Sequence, residues 1–180
     1  MLYSVFNWKK DLKNKRELII KNNLIKVLNA NFDSAYHKIE SSIFISAFII
    51  RKLIENDKLT TESDNFDFQI KYYKCINNVN KINRLDICCN YNLNKEYSKS
   101  VKGKEICNWI IHSYIFIPIF KKNILEGFYL SSDFDRNKIL YKIELDRWLK
   151  YVDIIIEDKV LTKTMSYNIK KNDYIFIDKK

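Results

Sequence analysis

The stretch that most restricts the fold is Asp33 to Lys58, DSAYHKIESSIFISAFIIRKLIENDK, which reads as one long helix. Tyr36, Ile39, Ile43, Ala47, Ile50 and Ile54 recur at intervals of three and four and form a continuous apolar stripe. Asp33 or Ser34 is placed to cap the first turn by accepting a free backbone N–H. Two of the chain's three alanines, Ala35 and Ala47, lie here beside Ser41, Ser42 and Ser46, so a neighbouring element can approach closely. The flank of the stripe carries His37, Glu40, Phe44, Arg51 and Glu55. Glu55, four residues after Arg51, reads as a helical ion pair of about 0.2–0.5 kcal/mol, with the arginine stem on Phe44. The alternative is that this flank faces a ligand.

Other elements are arranged around that helix. Residues 8 to 28 predict a first amphipathic helix, with Trp8, Leu12, Ile19, Ile20, Leu24, Val27 and Leu28 inward and a basic face at Lys9, Lys10, Lys13, Lys15 and Arg16. The short break at Asn29 to Phe32 makes the two helices an antiparallel hairpin. Phe66, Phe68, Ile70 and Tyr72 alternate as a half-buried strand that could pair with Leu85 to Cys89, and Asn90 to Lys104 reads as a loop. The run EICNWIIHSYIFIPIF, apolar on both sides, predicts a doubly buried helix stopped or kinked at Pro118, with His112 away from water. Gly127 to Leu130 and KILYKI form a hairpin about the turn SSDFDRN. From Glu144 the period is helical, with Leu145, Trp148, Leu149, Val152, Ile155, Ile156 and Val160 on one face. Two strands around a turn near Lys170 to Asn172 close the chain.

Composition excludes several chemistries. With only Gly103 and Gly127, no glycine-rich phosphate loop can form. There is no G-x-S-x-G elbow, no H-E-x-x-H helix and no H-x-E with a downstream C-x-x-C. Four cysteines without C-x-x-C spacing and two distant histidines predict reduced, mostly buried thiols, no metal site and no cofactor. No apolar run is long enough to span a membrane, and charges from Lys9 onward leave no signal-peptide core, which predicts a cytoplasmic protein. The length favours one domain over residues 1–180.

The net charge of +10 attracts polyanions. Against that, Lys, Asn and Ile are abundant while Gly, Pro and Ala are scarce, the pattern an AT-rich genome imposes, and only five basic residues are Arg. Arg is the side chain best suited to forked phosphate contacts. Candidate functional positions are Arg51 and Lys52 on the central helix, His112 and Ser113 on the second apolar run, and Asp133, Asp135 and Arg136 in the hairpin turn. An imidazole beside a guanidinium can serve RNA cleavage, with His112 as acid or base and Arg51 stabilising the phosphorane. The all-helical HEPN ribonucleases place such a pair four to six residues apart on one helix, a spacing neither His37 nor His112 has here.

The segments SAFIIRKLIENDKL, ICNWIIHSYIFIP and SSDFDRNKILYKIEL, about half the chain, resemble a family of small uncharacterised bacterial proteins. The resemblance implies no activity. It points to Arg51, Lys52, His112, Ser113, Asp133 and Arg136 as positions to test. The expected fold is α+β, an N-terminal helical hairpin and two further helices packed on an antiparallel sheet. The leading functional expectation is a non-enzymatic binding protein for nucleic acid or a protein partner. The alternatives are a metal-independent ribonuclease-like enzyme using Arg51 and His112, and a self-associating structural protein.

Overall fold

The computed structural model describes residues 4–170 and 172–180. In chain order its elements are helices α1 (Val5–Asn22), α2 (Ile25–Ala30), α3 (Phe32–Glu55) and α4 (Thr61–Asp64), strand β1 (Asp67–Lys74), helix α5 (Ile87–Asn90), strand β2 (Tyr97–Lys102), helix α6 (Gly103–Ile111), strands β3 (Ser113–Lys121), β4 (Ile124–Ser132) and β5 (Ile139–Glu144), helix α7 (Leu145–Glu157), and strands β6 (Lys163–Asn168) and β7 (Asp173–Lys179). The fold is α+β, with helices packed on an antiparallel sheet of order β2-β1-β5-β4-β3 and a separate hairpin of β6 and β7.

The long helix is the centre of the core. Ile39, Ile43, Ala47, Ile50 and Leu53 of α3 are each at most 1% exposed, and Ser42 and Ser46 are buried beside them. The stripe of small and apolar residues lets α3 sit between α1 and α6. Its cap is Asn31 and not Asp33 or Ser34, since the Asn31 side chain accepts the Ser34 N–H at 3.0 Å. The expected first helix divides at Asn23 and Leu24 into α1 and α2. Asn23 there turns its amide to Leu125, donating to its carbonyl at 2.9 Å and accepting its N–H at 2.8 Å, which ties the break to the start of β4.

One face of the sheet, with Phe68, Ile70, Val101, Phe128, Leu130, Tyr141 and Ile143, forms a single core with α1, α3, α6 and α7. In α7, Trp148, Tyr151, Val152 and Ile155 are all fully buried. Tyr151 reaches β1, its ring 5.0 Å from that of Phe68. A smaller cluster of Tyr73, Val79, Tyr91, Ile115 and Leu140 covers part of the opposite face, using the excursion between β1 and β2.

Three expectations are corrected. The apolar run after Glu105 is helical only to Ile111, and Ser113 onward is β3. A run apolar on both sides fits a strand as well as a helix, and the β-branched and aromatic residues of SYIFIPIF favour the strand. Pro118 is accommodated because β3 is an edge strand. Leu85 to Cys89 does not pair with β1: Leu85 is exposed and the segment enters the short helix α5. β1 pairs instead with β5 on one side and with β2 on the other, β2 coming from the stretch expected to be a loop, with Phe68 opposite Val101 and Tyr72 opposite Tyr97. The thiols are free, but only Cys107 is buried, while Cys88 and Cys89 are exposed and Cys75 is half-buried.

Both glycines stand where a side chain has no room. A Cβ on Gly127 would collide with the Ile143 carbonyl oxygen of β5, and one on Gly103 with the Tyr151 ring. Gly127→Ala is therefore expected to lower the unfolding free energy by about 1–3 kcal/mol, read from urea denaturation. Positive φ angles fall instead on Asp57, Lys122, Asn123 and Asn172. Asn and Asp accept that region more readily than other non-glycine residues.

Candidate functional site

Helix α6 ends at His112, whose backbone N–H closes the last turn on the Asn108 carbonyl at 2.9 Å. Because the helix stops there, His112 is exposed and not enclosed as expected. Arg51 of α3 lies alongside, with Nη1 3.1 Å from His112 Nε2. A guanidinium carries donors only, so Nε2 accepts and the ring proton sits on Nδ1.

The ion pair read from the sequence coexists with this contact. Arg51 Nε donates to Glu55 Oε1 at 2.7 Å, and Lys52 Nζ donates to Oε2 at 2.8 Å. Each guanidinium edge therefore has a separate task, one orienting the arginine and the other meeting the imidazole. The Lys52 ammonium first, and then the Arg51 guanidinium, hold the Glu55 carboxyl down to about 2 from its ordinary 4.5. A depressed carboxyl stabilises the arrangement fully above pH 4.5, and that contribution is lost as pH falls toward 2. In a carbon-13 titration, Lys52→Ala is expected to move the Glu55 midpoint up toward 4.5.

A second group lies one turn back on α6. Trp109 stacks on Tyr141 of β5, ring centroids 3.9 Å apart and planes within 8°. Tyr72 of β1 is paired across the sheet with both Tyr97 and Tyr141, and its ring lies on Tyr97 at 5.2 Å. Lys99, two residues after Tyr97 on the same face of β2, sets its ammonium 4.6 Å from the Tyr141 ring, 5.1 Å from Trp109 and 5.8 Å from Tyr72. Lys74 and Lys95 flank Tyr97 at 4.9 and 5.5 Å. Among the described residues no carboxylate lies within ion-pair distance of Lys74, Lys95 or Lys99. Burial, and then the Asp135 carboxylate that its hydroxyl meets at 3.3 Å, push Tyr141 well above the ordinary range for a phenol.

Of the positions chosen from sequence, Arg51, Lys52 and His112 converge. Asp133 reaches them only through its backbone, its N–H donating to the His112 carbonyl at 3.3 Å. Its carboxylate accepts from Arg136 at 2.7 Å instead. The Arg136 guanidinium lies 4.4 Å over Tyr114, which packs against the smaller cluster on the opposite face of the sheet. Ser113 pairs with Ser132 at the start of β3. Asp135 belongs to the aromatic group through Tyr141, and it accepts from Ser132 at 3.1 Å. Sequence reasoning missed Lys99, Tyr97 and the stacking of the half-buried Trp109 on Tyr141. The alternation Tyr97, Lys99, Val101 is the signal that could have revealed β2 and with it the lysine among the rings.

Among the described residues, no three His, Cys, Asp or Glu side chains are grouped to hold a metal ion, and no helix is long and apolar enough to cross a membrane. No family model matches the chain, and neither does any curated protein or solved structure.

Proposed function

We propose that this is a cytoplasmic protein that binds single-stranded nucleic acid on the face formed by β2, β1 and α6. The observation that carries the reading is the Lys99 ammonium set among the rings of Tyr72, Trp109 and Tyr141, with Lys74 and Lys95 beside Tyr97. Unstacked bases find aromatic rings at the edge strand, and lysines without carboxylate partners are available to phosphates. Stacking on an aromatic side chain contributes about 1–3 kcal/mol per base and tolerates any sequence. Duplex DNA offers no free base faces, so the same site discriminates against it.

The test is fluorescence anisotropy with a labelled single-stranded oligonucleotide of about 12 nucleotides, a length within the usual site sizes. Binding is expected at about 50 mM salt, weakening steeply by about 200 mM because the release of condensed counterions gains less entropy as bulk salt rises. Lys99→Glu is expected to weaken it at least about tenfold, near 1.4 kcal/mol. Undetectable binding of both RNA and DNA at the lower salt removes the reading.

The contact between Arg51 and His112 favours a second reading, cleavage of the bound strand when it is RNA. Both groups can reach one phosphate. In that reaction His112 Nε2 takes the 2′-hydroxyl proton as the oxygen attacks phosphorus, Arg51 turns to the non-bridging oxygens, and the 5′ oxygen leaves with a proton from water. DNA, lacking the 2′-hydroxyl, is bound and not cut.

A further inference from the structure

A groove of about 880 Å³ runs between the start of α1 and the segment that follows α7. It does not include the aromatic face described above. Its apolar surface includes Phe6 and Leu161, 77% and 85% exposed, together with the half-buried Ile156. Lys9, Lys10 and Lys13 stand along α1, and Lys58, Lys159 and Lys163 come from other parts of the chain.

The charge of this groove is strongly one-sided. Asp158 is the single carboxylate among the lining residues, and its side chain is 1% exposed. It is already engaged, accepting from the Thr60 N–H at 3.0 Å and lying 3.6 Å from Lys9. Lys10, Lys13, Lys58 and Lys159 have no carboxylate partner among the described residues. Burial lowers Lys9 and Lys163 below the ordinary lysine range, so further anionic neighbours would stabilise their charged forms.

We propose that this groove is the docking site for an acidic amphipathic helix of a partner protein, its apolar stripe on Phe6, Ile156 and Leu161 and its carboxylates among the lysines. A helix of this kind carries charge on both flanks of an apolar stripe, which suits a groove whose lysines come from separate segments around apolar side chains. A nucleic-acid backbone would meet the lysines but leave Phe6 and Leu161 in water. A single-headed lipid would place its charge at one end and leave most of the lysines unmatched.

The experiment uses the full chain and a fluorescein-labelled synthetic peptide of about 18 residues, five helical turns, with leucines at i, i+4, i+7 and i+11 and glutamates beside them. The comparators are a peptide of the same composition shuffled so that the leucines no longer share a face, a single-stranded oligonucleotide, and anionic vesicles. The patterned peptide is expected to bind saturably, with the shuffled peptide at least about tenfold weaker. The double substitution Lys10→Glu with Lys13→Glu, and separately Leu161→Asp, are each expected to weaken the patterned peptide at least about tenfold. All three positions are exposed, so the thermal midpoint serves as the check on folding. Should the double variant melt early, Leu161→Asp decides. Lys99→Glu is expected to leave peptide binding unchanged, which separates this site from the nucleic-acid face. Equal affinity for patterned and shuffled peptides, or undiminished binding by Leu161→Asp, would overturn the proposal. So would binding of the oligonucleotide or vesicles that is lost with Lys10→Glu and Lys13→Glu while the peptide does not bind.

Discussion

Phe128→Ala is expected to cost about 3–5 kcal/mol, the largest stability loss of the substitutions considered. Phe128 is fully buried in β4, and its ring lies 4.8 Å from Phe116 of β3, which in turn lies 4.9 Å from Phe44 of α3. This line of rings connects the sheet to the long helix, so truncating its inner member opens a cavity that the β-ladder cannot close by shifting. Against the usual total of about 5–15 kcal/mol, such a loss removes about a fifth of the stability or more. In urea the midpoint should fall with little change in slope. Phe128→Leu, which keeps most of the volume, is expected to cost under about 1.5 kcal/mol. A loss below about 1 kcal/mol for the alanine variant would mean that the helices do not pack on the sheet as described.

The largest effect on activity is expected at His112. If the bound strand is cleaved, His112→Ala should reduce the rate by about 10²–10⁴-fold, the usual contribution of a positioned acid or base. Because His112 is exposed at the end of α6, the thermal midpoint should stay within about 4 °C, corresponding to a loss below about 1 kcal/mol. Binding of a DNA strand of the same sequence should be little changed. Arg51→Lys keeps a positive charge but removes the forked donor set, and it should lose rate without losing binding to the same degree. A His112→Ala variant that cleaves as fast as the parent would leave only the binding function.

The long helix was legible because Ile39, Ile43, Ala47 and Ile50 repeat at the helical period over many turns, and α7 for the same reason. The β4–β5 hairpin was legible because SSDFDRN separates two apolar runs, and in the structure Tyr129 pairs with Lys142 and Leu130 with Tyr141. By contrast, β2 carries only one fully apolar inward residue, Val101, and its serines and lysines resemble a loop. Such polarity is what keeps an edge strand from pairing with other chains. The end of α6 was hidden because the period is lost in a run where nearly every residue is apolar. The same lost period hides the exposure of His112 at the end of the helix. The proximity of Arg51 and His112, 61 residues apart, is set by tertiary packing of α3 on α6 and had no local signal.

Nucleic acid bound at the Lys99 face, as proposed, would perturb the residues that line it. The most direct measurement is a two-dimensional nitrogen–proton NMR titration of the labelled protein with a single-stranded oligonucleotide at about 50 mM salt. The Trp109 indole and the amides of Tyr72, Tyr97 and Lys99 are expected to shift first and furthest, with His112 following, while Lys10, Lys13 and Lys15 of α1 move little. Shifts concentrated on those α1 lysines, with Trp109 and Lys99 unmoved, would contradict binding at the Lys99 face.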